Sequence, residues 1–409
     1  MLISDTTSGS RGYSKTISAY WWLLAAVIVA PLAFGSVELW SLALMQLLVA
    51  FGILAYLGGD FAGRVKCYRA PGMLPLLMLL MYMVFQAMPV PPSLLEIISP
   101  SAFEAYSSGV FLDSPGQWVS LSLYKRGLLM EFLRLASYAG IYFLTVEVFT
   151  SGEALKRLAY TVAVFASILA FMSILARFSS GNSILWLRDN PWGIHHFGPY
   201  INKNHYAGFM GMVLPLVVGL FVSTRPRVHS NDMKSMVLGA LNSRRINRHV
   251  LLGAGAIAIF VSILLSMSRS SVVAMIISIA MMALLVSRRR RVGMGGLVIL
   301  FIAIAISIGW FGVSPLLERF VTVVGDNGLL FSGRRIMSID SLRAAGDFIV
   351  TGGGFGAFAH IYPAYRTMLG TAFVDHAHND YMEFLVEGGG GLCCSIPLVS
   401  GRYMQACIH

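Results

Sequence analysis

The sequence predicts an all-α fold: a polytopic integral membrane protein of about ten helical spans with one long loop on its outer face. Three observations carry that prediction. The chain of 409 residues is 56% hydrophobic and only 12% charged, whereas a soluble chain carries about 25% charged residues. Its mean hydropathy is +0.72, and the apolar residues fall into repeated runs of span length. Basic residues collect in short segments between those runs. The net charge of +11 would suggest nucleic acid on a soluble surface. Its scatter through inter-span loops excludes that partner and points to membrane lipid instead.

The runs place spans at about 17–35, 39–57, 72–88, 130–149, 157–177, 205–223, 249–267, 271–287 and 294–313. Each holds roughly 20 residues, the length that crosses the hydrocarbon layer. A weaker tenth covers 381–400, where four consecutive glycines and Pro397 oppose helix formation. The N-terminus is polar before the first run and carries Arg11 and Lys15; Ala33-Phe34-Gly35 imitates a cleavage site, but a second span follows at once, as in a signal anchor. No solenoid repeat is present. The whole chain, 1–409, therefore reads as a single integral membrane domain, with 314–380 a loop between spans and 381–409 an end that reads as truncated or altered.

Orientation follows from the basic residues. With the N-terminus in the cytoplasm, the inner loops receive Arg64, Lys66, Arg69, Lys156, Arg157, the group from Arg225 to Arg248 and the block Arg288 to Arg291. The outer face then receives 89–129, 178–204, the turn 266–271 and the loop 314–380. The first of these contains a short amphipathic piece, Leu94 to Ile98.

Chemistry-bearing residues crowd that outer side. His378 stands beside Asn379 and Asp380, with Asp375 and His376 just before it. A neutral imidazole accepts a proton near neutral pH, and a neighbouring amide or carboxylate fixes its tautomer; the alternative is a residue at the start of the next helix, with Asp380 placed for the helix dipole. His376-x-His378 beside Asp375 is half a metal site. No second cluster of comparable strength accompanies it, so the reading holds no metal and no cofactor. The four cysteines, Cys67, Cys393, Cys394 and Cys407, lack zinc-finger spacing.

Arg269 lies at the junction of two spans, where a guanidinium needs water or an anion, and its donor fork suits phosphate oxygens. Lys203 and Asn204 open the span at 205, where free N–H groups and a cation favour an anion; ordinary capping by Asn204 is the alternative. Arg334 and Arg335 follow Ser332-Gly333 in the long loop and are the arginines there chosen to face an anionic substrate. The remaining loop arginines are expected to be solvated or to pair with Asp326, Asp340 and Asp347. Gly352-Gly353-Gly354-Phe355-Gly356-Ala357 imitates a dinucleotide fingerprint without its βαβ context, and reads as a turn that lets backbones approach closely. Glu131 and Arg134, three apart in the fourth span, are expected to pair on one helix face.

Asn202-x-Asn204-His205-x-Ala207, Ser268-Arg269, Gly352 to Gly356, and His378-Asn379-x-Tyr381 with Glu387-Gly388 occur in that order. Over roughly 120–390 the chain resembles the O-antigen ligase family, which includes O-antigen and exopolysaccharide polymerases and O-linked protein oligosaccharyltransferases. The resemblance implies a metal-independent, inverting glycosyltransferase of the bacterial inner membrane, working on the periplasmic face in lipopolysaccharide or related polysaccharide biosynthesis. It implies an undecaprenyl-diphosphate-linked glycan as donor and a glycan, lipid A core or protein as acceptor. By position in the motifs, His378 would accept the proton, and Arg269 with Arg334 or Arg335 would hold the diphosphate. Lys203, Asn204 and Asn379 complete the candidate substrate-binding set. Two alternatives stay open: a polymerase of the same family, and a transporter of a lipid-linked glycan that uses the same arginines without proton transfer.

Overall fold

The computed structural model describes residues 6–60, 70–190, 196–224, 244–288, 329–368 and 373–390; side chains are not described for 6–17, 59–60, 244–245, 269, 283–288 and 329–334. The ninth expected span at 294–313, most of the cytoplasmic basic groups and the chain after 390 lie outside the described residues.

The described chain is mostly helical. It begins with α1 (Thr6–Leu32), α2 (Leu39–Asp60) and α3 (Met73–Ala87). The strand β1 (Pro89–Val90) follows, then the short helices α4 (Pro92–Ile98), α5 (Pro100–Ser107) and α6 (Val110–Asp113), and β2 (Val119–Ser120). Long helices resume with α7 (Lys125–Val148) and α8 (Gly152–Ser179). A small hairpin, β3 (Ser183–Ile184) with β4 (Arg188–Asp189), leads to α9 (Lys203–Ser223), α10 (Arg244–Leu265) and α11 (Arg269–Arg288). The last elements are α12 (Leu329–Asp347), α13 (Phe358–Ile361) and α14 (Asp380–Gly388). Among the described residues five helical stretches are long and apolar enough to cross a membrane: Leu39–Gly58, Lys125–Val148, Gly152–Ser179, Lys203–Ser223 and Ile246–Leu265. Shorter apolar stretches cover Ser18–Leu32, Met73–Ala87 and Ser270–Met282. The chain is thus an integral membrane protein by its helices.

The chain divides into two compact units. One comprises Met1–Tyr20, Val49–Glu147 and Thr322–His409, the other Trp21–Leu48 and Val148–Val321.

In the second unit α8, α9 and α10 pack on one another, and α11 packs on α9. Ala163, Ala166 and Ala170 on α8 and Ala207 on α9 are fully buried. Small residues at such seams let backbones approach, which is how helices associate where lipid removes the hydrophobic drive. Gly255 of α10 shows the constraint: a Cβ there would lie 2.2 Å from Ser167 Oγ of α8. The turn entering α9 is closed by a bridge between Phe197 and Tyr200, and their rings pack on Tyr206. Glu38, before α2, is paired with Arg188 of β4, whose guanidinium also lies 5.5 Å over the Phe34 ring.

In the first unit the segments read as outer loops fold together around one core. Leu95, Ala102, Leu121, Ala344, Phe358, Tyr362 and Val386 are buried in it. β1 pairs antiparallel with β2. The stretch 329–347, read from the sequence as part of a loop, is the helix α12. Its buried positions, Met337, Asp340, Ser341, Ala344, Ala345 and Phe348, follow helical spacing, but two of them are polar, and that hid the pattern from hydropathy. Asp340 is satisfied in place: it accepts from Thr367 N–H (3.0 Å) and Thr367 Oγ1 (2.9 Å), with Arg343 at 3.6 Å. Tyr56 Oη donates to Glu147 Oε2 at 2.6 Å, tying α2 to α7. Arg134 Nη1 lies 2.7 Å from Glu131 Oε1, the pairing that their spacing predicts.

The turn after α12 is where the unit is tightest. Gly353 N–H donates to Val386 C=O (2.8 Å), Gly354 N–H to Glu387 C=O (3.0 Å) and Gly390 N–H to Ile349 C=O (2.6 Å). Gly352 has φ +66°, and a Cβ on it would lie 2.1 Å from the Glu387 carbonyl oxygen. The left-handed conformation alone costs a side-chain-bearing residue about 1–2 kcal/mol, and the overlap adds to it. Gly352→Ala is therefore expected to lower the thermal unfolding midpoint of the lipid-reconstituted protein far more than Gly116→Ala, which shares a positive φ (+91°) but has nothing within 4 Å of the added methyl. Equal losses in the two variants would show that the close approach at Gly352 contributes nothing.

Candidate functional site

His378 is placed by what surrounds it in the chain. Asn379 is the N-cap of α14: its Oδ1 accepts from Tyr381 N–H at 3.2 Å, and its carbonyl accepts from Met382 N–H (3.0 Å) and Glu383 N–H (3.1 Å). Asn is favoured there because its side chain satisfies an N–H that the helix leaves open. Immediately before, Ala377 is buried in the core, and its N–H donates to Glu383 Oε2 at 2.9 Å. His376 Nδ1 lies 2.7 Å from Glu383 Oε1. His378 bridges these two fixed points with φ +51°, a left-handed conformation rare for a residue with a side chain. Its side chain is exposed, as are those of Asp375 and Asp380.

The far end of α14 is anchored as firmly. Gln86, fully buried at the end of α3, donates from Nε2 to Thr351 C=O (2.8 Å) and to Glu387 C=O (2.9 Å). Tyr82 Oη donates to Thr351 C=O (2.8 Å) and Gly388 C=O (3.1 Å). The buried Glu387 side chain accepts from Phe358 N–H at 3.0 Å. The glycine run is thus a turn that protein backbone approaches, and Gly356 presses on Gly127 of α7 in the same way.

The other candidates are placed as follows. Arg335 is exposed on α12, and α12 packs on α14. Arg334 belongs to the same helix, with its side chain outside the description. Adjacent helical residues do not face one way, so one anion takes one of the two. Arg269 is the first residue of α11 and its side chain is likewise outside the description. The turn before it is built from serines: Ser268 Oγ donates to Ser271 Oγ (3.0 Å), Ser266 Oγ accepts from Ser268 N–H (3.3 Å), and Met267 has φ +56°. Lys203 is half-buried at the first turn of α9, and Asn204 is exposed. The cap of α9 is Asn202, whose Oδ1 accepts from Asn204 N–H at 2.9 Å; the expected cap, Asn204, is instead the residue capped. Arg335, His378 and Asn379 fall in the first unit, and Lys203, Asn204 and Arg269 in the second.

Sequence reasoning gave no role to Gln86, Glu383 or Glu387. Gln86 was legible only as one amide closing an apolar run. Glu383 was legible as an acid four residues after an Asn cap, a place from which a side chain reaches back over the helix start.

Electrostatically the His378 turn is acidic. The hydrogen bond that His376 donates to Glu383, with further attraction from Glu383, Asp375 and Glu387, outweighs desolvation and raises His376 from 6.5 to about 9. His376 is therefore a cation at neutral pH, paired to a carboxylate. Among the described residues no group of three or more His, Cys, Asp or Glu could hold a metal ion.

Comparison with known families gives a match over the C-terminal part of the described chain. The model described as O-antigen ligase (Wzy_C) matches residues 254–390, a stretch that includes Arg269, the glycine turn, His378 and α14. Over residues 254–390 the chain is similar to the O-antigen ligase family. Searches of curated proteins and of solved structures return no match.

Two outcomes follow from the turn. Because the folded-state value of His376 lies above its unfolded value, its pairing stabilises the fold fully below about pH 6.5 and is lost as pH rises through about 9. The unfolding midpoints of wild type and Glu383→Gln are expected to differ most between about pH 5 and 6.5, where a carboxylate is ionised and the imidazole is charged, and to converge above pH 9; a pH-independent gap would contradict the pairing. Asn379→Ala is expected to cost about 1 kcal/mol of stability and Asn379→Asp much less, as N-caps do, read from the same unfolding curves.

Proposed function

From the O-antigen ligase family match over residues 254–390, we propose that this protein transfers a glycan from undecaprenyl diphosphate to an acceptor hydroxyl. The reaction belongs to cell-surface polysaccharide biosynthesis, on the periplasmic side of the bacterial inner membrane. The proposal takes the chain as one membrane domain of about ten spans.

His378 removes the proton as the acceptor oxygen attacks the anomeric carbon. The carbon–oxygen bond to the diphosphate breaks, the configuration inverts, and undecaprenyl diphosphate leaves without a metal. Arg269 and one of Arg334 and Arg335 hold the departing charge, because fixed cations stabilise a developing anion best in a dry site. Lys203 and Asn204, at the start of a span, contribute to donor binding, and Asn379 offers its amide nitrogen to substrate.

The observation that carries this reading is the His378 turn: an exposed imidazole in a left-handed conformation inside the matched stretch. Strain of that kind persists where the surroundings impose it, and it accumulates at functional sites. Carboxylates around the imidazole repel a diphosphate and suit a neutral hydroxyl. That sign of charge supports acceptor activation at His378 and phosphate binding by the arginines.

The test supplies purified protein in lipid discs with a lipid-diphosphate glycan and, in turn, a lipid A core, a glycan repeat and a peptide acceptor. His378→Ala should lose about 10²–10⁴-fold in transfer rate, the usual worth of a positioned general base, while its affinity for donor stays that of the wild type. Arg269→Lys should slow transfer as well, because an ammonium cannot replace a bidentate fork. Undiminished transfer in His378→Ala would end the assignment. Donor moved across the bilayer without any product would favour the transporter.

A further inference from the structure

We infer that the His376–Glu383 pair is a positioning latch for His378: one carboxylate from the first turn of α14 grips the two residues before the imidazole and fixes the backbone that presents it. The inference rests on the glycosyl-transfer reading above and assigns the residues that hold its proton acceptor in place.

The geometry is that of a clasp. Glu383 uses both oxygens, Oε1 at 2.7 Å from His376 Nδ1 and Oε2 at 2.9 Å from Ala377 N. On the other side of His378, Asn379 is bound to the same helix turn through its side chain and its carbonyl. Residues 376, 377 and 379 are therefore all tied to α14, and His378 has to span them. Its φ of +51° is the conformation that closes this circuit. A residue with a side chain adopts it seldom, though histidine more readily than most, and the surrounding bonds hold it there. Ala377, buried with Val386 in the core, keeps the clasp from sliding.

A cap alone would not need the histidine. Asn379 already satisfies the helix start, and Glu383 could accept from Ala377 N–H without a second partner. His376 adds a charged contact to a carboxylate that is largely out of solvent: the side chain of Glu383 is 19% exposed and that of His376 is 57% exposed. The carboxylates that act on His376 are Glu383, Asp375 and Glu387, and all favour its charged form. The pair neutralises one acid beside His378 and leaves the others to keep the turn acidic.

The experiment uses the full chain in lipid discs with a lipid-diphosphate glycan and whichever acceptor class the wild type uses. His376→Ala and Glu383→Ala should each lower kcat by about 10–100-fold, the effect of a misplaced reacting group, with donor KM within about twofold. The double variant should be no worse than the poorer single, since both cut the same contact. Glu383→Gln, which keeps one acceptor oxygen, should fall between, and its rate profile should lack the alkaline decline near pH 9 expected of the wild type. Wild-type kcat in His376→Ala, or additive losses in the double variant, would overturn the latch.

A second measurement needs no turnover. Histidine titration by NMR should show His376 holding its proton to about pH 9 in the wild type and at its ordinary value in Glu383→Gln. An ordinary value in the wild type would overturn the latch even where transfer is intact. If the wild type gives no product with any acceptor, the function reading fails, and the titration still decides the latch. Glu383→Gln stands in for either alanine variant that does not fold.

Discussion

The hydrogen bonds between the glycine turn and the end of α14 are the constraint on which the rest of the first unit depends. Gly353 and Gly354 donate to the carbonyls of Val386 and Glu387, and Gly390 returns a bond to Ile349. No side chain fits between these backbones. Gln86 enters from a distant part of the sequence and binds carbonyls on both sides of the contact. A helix of nine residues is marginal by itself; α14 persists because its end is held this way and its start is capped by Asn379. The position of His378 is therefore set from both ends of a short rigid rod.

On the proposed function, that rigidity has a chemical use. General-base catalysis needs the acceptor nitrogen within hydrogen-bonding reach of the attacking hydroxyl, and small displacements are expensive. An imidazole on an unconstrained loop would wander through many rotamers and backbone states. Here the bonds that flank His378 are short and lead back to a packed core. Acidic neighbours make the turn a poor seat for phosphate, and the arginines given to the leaving group stand elsewhere in the chain, on α11 and α12. On the proposed function, the division of labour between acceptor and donor follows from the sign of the local charge.

The long apolar helices were readable directly: the runs at 39–57, 130–149, 157–177, 205–223 and 249–267 each coincide with a helix of span length. Composition was enough, because lipid demands it of every residue on such a surface. α12 was not readable, because the polar Asp340 and Ser341 occupy core positions, Asp340 satisfied by Thr367 far along the chain and Ser341 by the carbonyl of Met337 one turn back in the same helix. The Asn202–Asn204 pair illustrates a finer limit. Either residue could cap α9, and the choice depends on where the turn at Phe197–Tyr200 delivers the chain. At the candidate site the sequence pointed to His378 and Asn379 and missed the residues that hold them. Gln86 and Glu383 act through contacts whose partners lie far away or across a helical turn, and neither residue type announces that role.

The central claim is that the protein breaks the bond between a glycan and a lipid diphosphate, leaving the diphosphate whole. The most direct test is to follow the lipid product while purified protein in discs consumes an undecaprenyl-diphosphate glycan in the presence of acceptor. The account predicts undecaprenyl diphosphate appearing one for one with the glycosylated acceptor and no release of phosphate. Undecaprenyl monophosphate as the product, or acceptor glycosylated without any freed lipid diphosphate, would contradict it.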